Sequence, residues 1–447
     1  MARLKARLTP PGAPFAAARL LRGLAAAAAL AAAALPAAAQ EGLRVSASAF
    51  ATLGWAQSNR DYAYQGIDDG GTLRRDTVMG GQVDLQFSPR WSATVQARFA
   101  PSQRHESEWD LRASWAFVAF RPDNDWLLRL GKVRAPFFLR SENLDVGQTY
   151  DEVRLPAELY TLSPANDFSG ASAMRNWSLD GGELSLEAYR GTALLYKRFW
   201  ERAGMPPQVP AGALTRQVET TITGLVATWR APRFTGRVGV HHAATRLPDG
   251  AVDFLVRPVF APLGPGLGYW QTSNLLPGPG VENTDHIVNL VLIAGGEFRA
   301  GPWRVASEVA RVMQRRVDFG LDAVGGYLTV YRSIDRFTPY ASIAALDSLG
   351  QTRQWSRALE NTTLPGVLPG ADLLNASMRM GADNQPVYRQ TALALGSSYA
   401  LDASTKLKLE WMHVRARQSS MLDLAAGEPL EKRRDLNVWS ASLNVVF

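Results

Sequence analysis

Short segments in which apolar and polar residues alternate recur from residue 43 to the end of the chain. Residues 91–99 place aromatic side chains at both ends of one face, with small aliphatic side chains between them, and Ser, Thr, Gln and Arg on the other face. Residues 184–191 and 406–415 alternate in the same way. A period of two predicts strands with one apolar and one polar face. Aromatic residues at the ends of the apolar face are typical of strands that cross a lipid layer.

Counting these segments predicts sixteen strands. Their approximate spans are 43–56, 77–87, 91–99, 111–120, 126–133, 171–179, 184–191, 217–229, 234–243, 286–298, 303–312, 323–331, 338–346, 389–400, 406–415 and 436–447. One strand does not fit the pattern, because Arg175 shares the phase of Ala173 and Trp177. This predicts a bulge or a shifted register in that strand.

The connections between these strands alternate between short and long. The short ones are rich in Pro, Gly and Asp, as β-turns are. The long ones cover 57–76, 100–110, 131–170, 192–216, 244–285, 313–322, 347–388 and 416–435. Because every second connection is long and the others are short, the pattern predicts an all-β, up-and-down antiparallel transmembrane barrel. A sandwich with Greek-key crossings would not show this alternation. No compositional break divides the chain, so residues 40–447 are expected to form one barrel domain.

The first 39 residues have the pattern of a secretory signal peptide. Five basic residues precede an Ala- and Leu-rich run at 24–35, and Ala37-Ala38-Ala39 fits the cleavage site before Gln40. An N-terminal membrane anchor is the alternative, but the run is too short to span a bilayer. The whole chain has 48 basic and 41 acidic residues and a formal net charge of +7. Without the five basic residues of this segment, 43 basic residues remain, and the net charge is +2. The high pI therefore gives no reason to expect nucleic acid as a partner.

The composition offers little for catalysis or metal binding. There are no cysteines, which excludes disulfides and thiolate metal sites and suits export through an oxidising compartment. The five histidines are scattered, and adjacent His241 and His242 should point to opposite faces of a strand. No nucleophile elbow, Walker A loop or dinucleotide fingerprint is present. We expect no catalytic residues, no metal, no cofactor and no enzymatic activity.

The last eleven residues, 437–447, place Trp439, Leu443 and Phe447 on one face of a strand that ends at an aromatic residue. Such a strand must pair with something, and the first strand of a closed barrel can supply the partner. The segment resembles the terminal strand of Gram-negative outer-membrane barrels. That resemblance implies that Phe447 belongs to the signal read by the barrel-assembly machinery. It also implies export to the outer membrane and contact with its lipids.

The loop 131–170 is the candidate for a segment that narrows the pore. A sixteen-stranded barrel is too wide to be filled by its own strand side chains, so a loop is needed to restrict it. The loop opens with Gly131-Lys132-Val133-Arg134-Ala135-Pro136-Phe137. This motif and its place after the fifth strand resemble the constriction loop of sixteen-stranded, substrate-type porins, including phosphate-selective and dicarboxylate-type groups. Acidic residues interrupt the basic ladder of the phosphate-selective group, so the solute is left open.

The residues expected at the constriction come from this loop and from three neighbouring strands. Arg98 and Arg112 flank 105 symmetrically and should be cross-strand partners facing the lumen, and Arg129 has the same inward phase. A basic wall of these three facing an acidic loop would set up a transverse field across the pore. The loop residues are Arg134, Arg140, Glu142, Asp145, Asp151, Glu152, Arg154 and Glu158. Alternatively, the arginines are solvated lumen residues away from the narrow point.

The expected function is a passive diffusion channel for small hydrophilic, charged solutes or ions. Two alternatives remain: a non-conducting outer-membrane barrel whose long loops bind or adhere, and a secreted soluble β protein. The resemblance to porins also implies a homotrimer. The sequence leaves open the solute and whether anions or cations are preferred.

Overall fold

The computed structural model describes residues 43–205 and 207–447, so the predicted signal peptide, 1–39, lies outside the described residues. Sixteen strands form one closed antiparallel barrel, as the sequence predicted. They are β1 Arg44–Ser58, β2 Val78–Gln86, β3 Trp91–Pro101, β4 Trp109–Phe120, β5 Trp126–Arg134, β6 Asp167–Leu179, β7 Gly182–Glu201, β8 Gly212–Ala231, β9 Phe234–Arg246, β10 His286–Ala300, β11 Trp303–Gln314, β12 Ala323–Arg332, β13 Phe337–Ser348, β14 Tyr388–Ala400, β15 Thr405–Ser419 and β16 Arg434–Val446.

Each strand pairs with its neighbour in the sequence, and β1 closes the barrel against β16. The closing register runs from Phe50 opposite Val446 to Ser58 opposite Val438. Phe447 continues this seam, because its backbone N–H donates to Ala49 O at 2.9 Å and its carbonyl accepts from Ala49 N at 3.2 Å. Closure leaves neither terminal strand with an unpaired edge along this register.

The two faces of the wall differ as the alternation predicted. Large apolar side chains such as Val95, Leu186, Leu395 and Leu409 are exposed on the outer face. Their neighbours in sequence, including Glu187, point inward and are buried. So much exposed apolar surface is unfavourable in water and favourable in a lipid layer.

The prediction of a bulge or a shifted register at Arg175 is wrong. Arg175 pairs regularly with Trp126 across β5 and β6 and stays on the outer face. Its guanidinium lies 5.4 Å from the ring centroid of Trp126 and 5.0 Å from that of Trp177. The charge is accommodated by two aromatic rings near the strand end, so the strand needs neither a bulge nor a shifted register.

One end of the barrel carries turns of two to five residues, and the other carries loops of seven to 39 residues. Two of the strands extend well beyond the predicted boundaries. β7 and β8 have 20 residues each, about twice the 9–11 that cross a bilayer. Their distal parts therefore rise above the membrane, where the alternation of apolar and polar residues is not required.

The long loops pack on one another over that end of the barrel. A first short helix, α1 Ala157–Tyr160, lies in the loop between β5 and β6. Helices α2 Gly350–Asn361 and α3 Ala371–Asn384 lie against the hairpin formed by Val259–Gly264 and Leu267–Gln271. Arg202 ties these elements together, with Nε bonded to Asp383 at 2.6 Å and Nη2 to Glu360 at 2.6 Å. We call this layer of loops and helices the cap. No helix among the described residues is long and apolar enough to cross a membrane.

Candidate pore

The loop between β5 and β6, residues 135–166, lies inside the barrel. At Gly147 it passes between Thr52 on β1 and Asn444 on β16, both of which face inward. A Cβ atom at position 147 would stand 2.0 Å from Asn444 Oδ1 and 2.8 Å from Thr52 Oγ1. Only glycine allows the backbone to approach the wall this closely. The loop therefore leaves the wall at β5 and reaches the closing seam from the inside.

Asp145 fixes the first part of the loop to the wall near its origin. Arg98 Nη1 on β3 donates to Asp145 Oδ1 at 3.0 Å, and Ser114 Oγ on β4 lies 3.3 Å from Oδ2. Arg134, at the end of β5, forms an ion pair with the same carboxylate. Three adjacent strands thus converge on one buried loop side chain, and the charge of Asp145 is compensated where it is removed from water.

Asp151 fixes the middle of the loop to the opposite wall. Lys406 Nζ on β15 lies 3.0 Å from Asp151 Oδ1, and Ser398 Oγ on β14 donates to the same oxygen at 2.7 Å. Arg304 on β11 forms an ion pair with the other oxygen. Burial raises the pKa of Asp151, but Lys406, Ser398 and Arg304 together lower it below its usual value. The carboxylate is therefore ionised at neutral pH.

The next residues are held mainly by hydroxyl and amine groups of the wall. Tyr331 Oη donates to the carboxylate of Glu152, and Lys408 Nζ donates to the Glu152 carbonyl at 2.7 Å. Tyr340 Oη accepts from Val153 N at 3.3 Å. These contacts come from three different strands, β12, β13 and β15, so the loop backbone follows the wall rather than standing free in the lumen.

Two loop arginines bind carboxylates of the wall or of another loop. Arg154 Nε lies 2.8 Å from Asp76 Oδ1, and Arg140 forms an ion pair with Glu297 on β10. Burial lowers the pKa of both guanidinium groups, but the adjacent carboxylates outweigh it and raise both values. Both side chains remain charged at every accessible pH.

Glu158 is held by neutral donors and makes no ion pair among the described residues. Gln390 Nε2 donates to its Oε1 at 2.7 Å and Tyr64 Oη at 3.3 Å. Burial raises the pKa of Glu158, and these neutral donors only partly offset the shift. Glu158, Tyr64, Arg154 and Glu410 are among the side chains that line a small cavity between the loop and the wall.

Aromatic packing against β9 and hydrogen bonds to β9 and β11 hold the start of the loop. The Phe137 ring lies 4.2 Å from that of His241, centroid to centroid, and both side chains are fully buried. Arg237 Nη1 donates to Phe138 O at 2.6 Å. Glu308 accepts from Leu139 N at 2.7 Å. His241 points inward and His242 outward, as the sequence predicted for adjacent strand residues.

The three wall arginines occupy different surroundings. Arg98 and Arg112 are cross-strand partners, as predicted, but only Arg98 contacts the loop. Arg112 binds Asp110 at 2.8 Å and Gln103 at 3.1 Å. Arg129 forms an ion pair with Glu187 and donates to Ser172 Oγ at 3.1 Å. Glu142 makes no ion pair among the described residues.

The charges are arranged differently from the expected basic wall and acidic loop. The loop carries both signs. Arg140, Asp145 and Asp151 meet opposite charges on the wall, and Arg154 meets Asp76 in the loop after β1. Glu142, Glu152 and Glu158 make no ion pair among the described residues. Sequence reasoning missed the charged residues elsewhere in the barrel that bind the loop: Asp76, Glu297, Arg304, Lys406 and Lys408. Strand phase placed Lys406 and Lys408 on the inward face but gave no height along the barrel. No group of three His, Cys, Asp or Glu side chains in residues 43–205 and 207–447 is arranged to hold a metal.

A closed antiparallel barrel with an even number of strands and an apolar outer face is the architecture of bacterial outer-membrane barrels. OmpT of Vibrio cholerae, an outer membrane protein folded in vitro, superposes over 92% of this chain and 99% of its own, with 9% identity and a TM-score of 0.51. A trimer form of that protein superposes over 91% of this chain and 100% of its own, with 10% identity and a TM-score of 0.50. These identities are low, so the likeness establishes the fold.

The anion-selective porin from Comamonas acidovorans covers 91% of this chain and 100% of its own, with 10% identity and a TM-score of 0.48. No protein-family model matches the sequence, and no curated protein matches it.

Proposed function

We propose that this protein is an outer-membrane channel for passive diffusion of small, hydrophilic, charged solutes, and that it is not an enzyme. The observation that carries the proposal is the internal loop, whose Arg98–Asp145 and Lys406–Asp151 contacts place charges of both signs across the lumen. Fixed charges in a narrow aqueous passage act strongly on ions, since the protein wall has a low dielectric constant. Residues 1–39 serve as a cleaved export signal, and the cap faces the outside of the cell.

The constriction comprises Arg98, Arg134 and the loop residues from Arg140 to Glu158, and it excludes Arg112 and Arg129. Support comes from the contacts of Arg98 and Arg134 with Asp145, whereas Arg129 is occupied by Glu187. Because most charges at the loop are paired, net selectivity depends on the few that keep solvent contact. The Arg98 side chain is 20% exposed, against 6% for that of Arg129.

Reconstitution in a planar bilayer with reversal potentials under a salt gradient tests this function. We expect discrete conductance steps, and we expect Arg98→Ala to shift the reversal potential toward cation preference. Arg129→Ala is the matched control, because it removes the same charge from a wall position that does not touch the loop. Equal shifts in both variants would place the narrow point away from Arg98, and silent wild-type protein would contradict an open channel.

A non-conducting barrel is the second candidate, and the fixation of the loop on several walls favours it. Asp145, Asp151 and Arg154 bind β3, β11, β15 and the loop after β1. Deleting residues 141–152 removes the segment that crosses the lumen. Conductance steps only after this deletion would show that the wild-type barrel is closed, whereas steps in both proteins support the channel.

We also propose a homotrimer, with contact between copies along the upper half of β4. β4 pairs with β5 only from Ala116 opposite Lys132 to Phe120 opposite Leu128. Among the described residues, 109–113 and Trp115 pair with β3, Ser114 is bulged out of that ladder, and none of them pairs with a strand on the other side. Unpaired backbone in a lipid layer costs several kcal/mol per group, and a second copy can cover it. Cross-linking of the detergent-extracted protein checks the trimer, and a monomer at all concentrations would contradict it.

A further inference from the structure

The outer face of β15 changes from apolar to basic along its length. Leu409 is exposed to the lipid side, Trp411 follows it, and His413 and Arg415 come next on the same face. The Trp411 and His413 rings are stacked with centroids 6.2 Å apart. Arg417 is an extra residue at a register shift between β14 and β15 and is exposed. This order marks a transition from hydrocarbon to headgroup level.

The aromatic residues fix the depth of this transition. Trp411 pairs with Trp439 across β15 and β16, and Trp55 lies on the neighbouring strand β1. Such rings lie at the boundary between hydrocarbon and headgroups. Arg415 is four residues further along β15, about 13 Å along the strand and roughly 10 Å along the membrane normal for a strand tilted by about 40°. Its guanidinium group therefore lies at the level of headgroup phosphates.

Six arginines gather around this position, and we call them the arginine sector. They come from β14, β15, α2 and the loops on either side of the closing seam: Arg60, Arg357, Arg389, Arg415, Arg417 and Arg433. Three carboxylates, those of Asp61, Glu431 and Asp435, lie among them. The sector therefore carries a net charge of about +3 at neutral pH.

The carboxylates are shared, so they do not neutralise the sector. Asp435 binds both Arg415 Nε and Arg433 Nε at 3.0 Å. Glu431 binds Arg357 at 2.8 Å and lies 3.9 Å from Arg389. The Arg417 side chain has neither a hydrogen bond nor an ion pair to any side chain in the described part of the chain. Several guanidinium donors thus remain free for an anion.

The opposite side of the rim has no such excess. Around β8 to β10, Arg216 pairs with Asp253, Arg246 with Glu219, and Arg257 with Asp318. Each of these exposed arginines has a carboxylate of its own. The basic excess is therefore local to the sector around β15, and the general charge of the rim does not account for it.

We propose that the arginine sector binds phosphate groups of lipid headgroups in the leaflet on the cap side, and that it favours a headgroup with more than one phosphate. Guanidinium groups bind phosphate oxygens with paired N–H donors, and six of them with a net charge of about +3 match a multiply charged anion. Basic residues near a membrane surface each add to the binding of anionic lipid. This site lies outside the barrel and is independent of the proposed channel.

The test uses the full barrel in detergent, titrated with diphosphoryl lipid A, with monophosphoryl lipid A and with inorganic phosphate at low ionic strength. The test variant is Arg415→Ala, Arg417→Ala and Arg433→Ala. The matched control is Arg216→Ala, Arg246→Ala and Arg257→Ala, which removes the same total charge from the opposite rim. Native mass spectrometry counts bound lipid, and heat-modifiable gel migration shows that each variant is folded.

We expect the test variant to bind diphosphoryl lipid A about a hundredfold more weakly than wild type, since three arginines at the surface are removed. The control variant should bind as wild type does, and high salt should weaken the wild-type binding. Equal loss in both variants, no loss in the test variant, or equal binding of the two lipids would overturn the proposal. Displacement of the lipid by an equal concentration of inorganic phosphate would assign the site to free phosphate instead.

Should the triple variant fail to fold, Arg417→Ala alone replaces it, because that side chain supports no contact in the described structure. Its expected loss is about fivefold. Unchanged affinity in this folded single variant would then contradict the proposal.

Discussion

Single side chains decide how the internal loop is held. Asp151 joins β11, β14 and β15 through Arg304, Ser398 and Lys406. A carboxylate that serves three donors on three strands restrains the loop more than three separate surface pairs would, since surface pairs contribute little. Asp145 and Asp151 therefore act first as anchors, and any effect on ions follows from the geometry that they impose.

Asp151→Asn should loosen the loop, because it leaves Arg304 and Lys406 without their shared anion. We expect a loss of about 1.5–3 kcal/mol in the free energy of unfolding, the range for a hydrogen bond to a charged group. Urea unfolding of the barrel in detergent measures it. Asp180→Asn, in the exposed turn between β6 and β7, is the control and should leave the midpoint unchanged. Equal midpoints for the two variants would show that Asp151 is not an anchor.

At the level of elements, the cap depends on a charge cluster where β7 ends above the membrane. Arg202 binds Glu360 of α2 and Asp383 of α3. Glu201, next to it, is buried and neither of its carboxylate oxygens has a hydrogen-bond partner among the described residues. Burial first, and then the nearby Asp383, raise the pKa of Glu201 to about 7. Near neutral pH this side chain is thus divided between its two protonation states.

This shift predicts a pH-dependent cap. Folded Glu201 holds its proton up to about pH 7, whereas the unfolded side chain loses it near pH 4.3. The free energy that stabilises the cap therefore falls as pH rises between these two values. Glu201→Gln should behave like wild type at pH 4 and protect α2 and α3 better at pH 8. Hydrogen exchange of the two proteins, compared at each pH, measures this, and equal protection at pH 8 would contradict it.

At the scale of the whole molecule, closure of the barrel rests on the seam between β1 and β16. Phe447 contributes two backbone hydrogen bonds to Ala49 and an outward ring that is 59% exposed. An exposed aromatic ring at the end of the closing strand contributes little packing within the chain. We therefore expect the Phe447 ring to act in recognition by the assembly machinery.

Deleting Phe447 should lower the amount of folded barrel in the outer membrane far more than it lowers synthesis. Phe447→Ala keeps both backbone bonds and removes only the ring, so it separates recognition from closure. We expect both variants to accumulate as unfolded chains that do not show heat-modifiable migration. Normal outer-membrane levels of Phe447→Ala would show that the ring is not part of the assembly signal.

The sequence by itself determined the number of strands, their order and the faces that they turn to lipid and lumen. Each of these depends on a local period of two, which neighbouring residues such as Leu407, Lys408 and Leu409 display without any distant contact. The alternation of short turns and long loops also follows from local turn residues. The predicted spans of β7 and β8 were too short where these strands rise above the membrane, because lipid no longer imposes the alternation there.

Only the tertiary structure decided which charges meet inside the barrel. Asp151 and Lys406 are 255 positions apart, and their contact depends on the tilt of β15 and on the path of the loop, neither of which a local pattern encodes. Strand phase gave an inward direction to Arg98 and Arg129 alike, but height along the barrel separates them, since one reaches Asp145 and the other Glu187. Long-range ion pairing is fixed by closure and register, which depend on the whole chain.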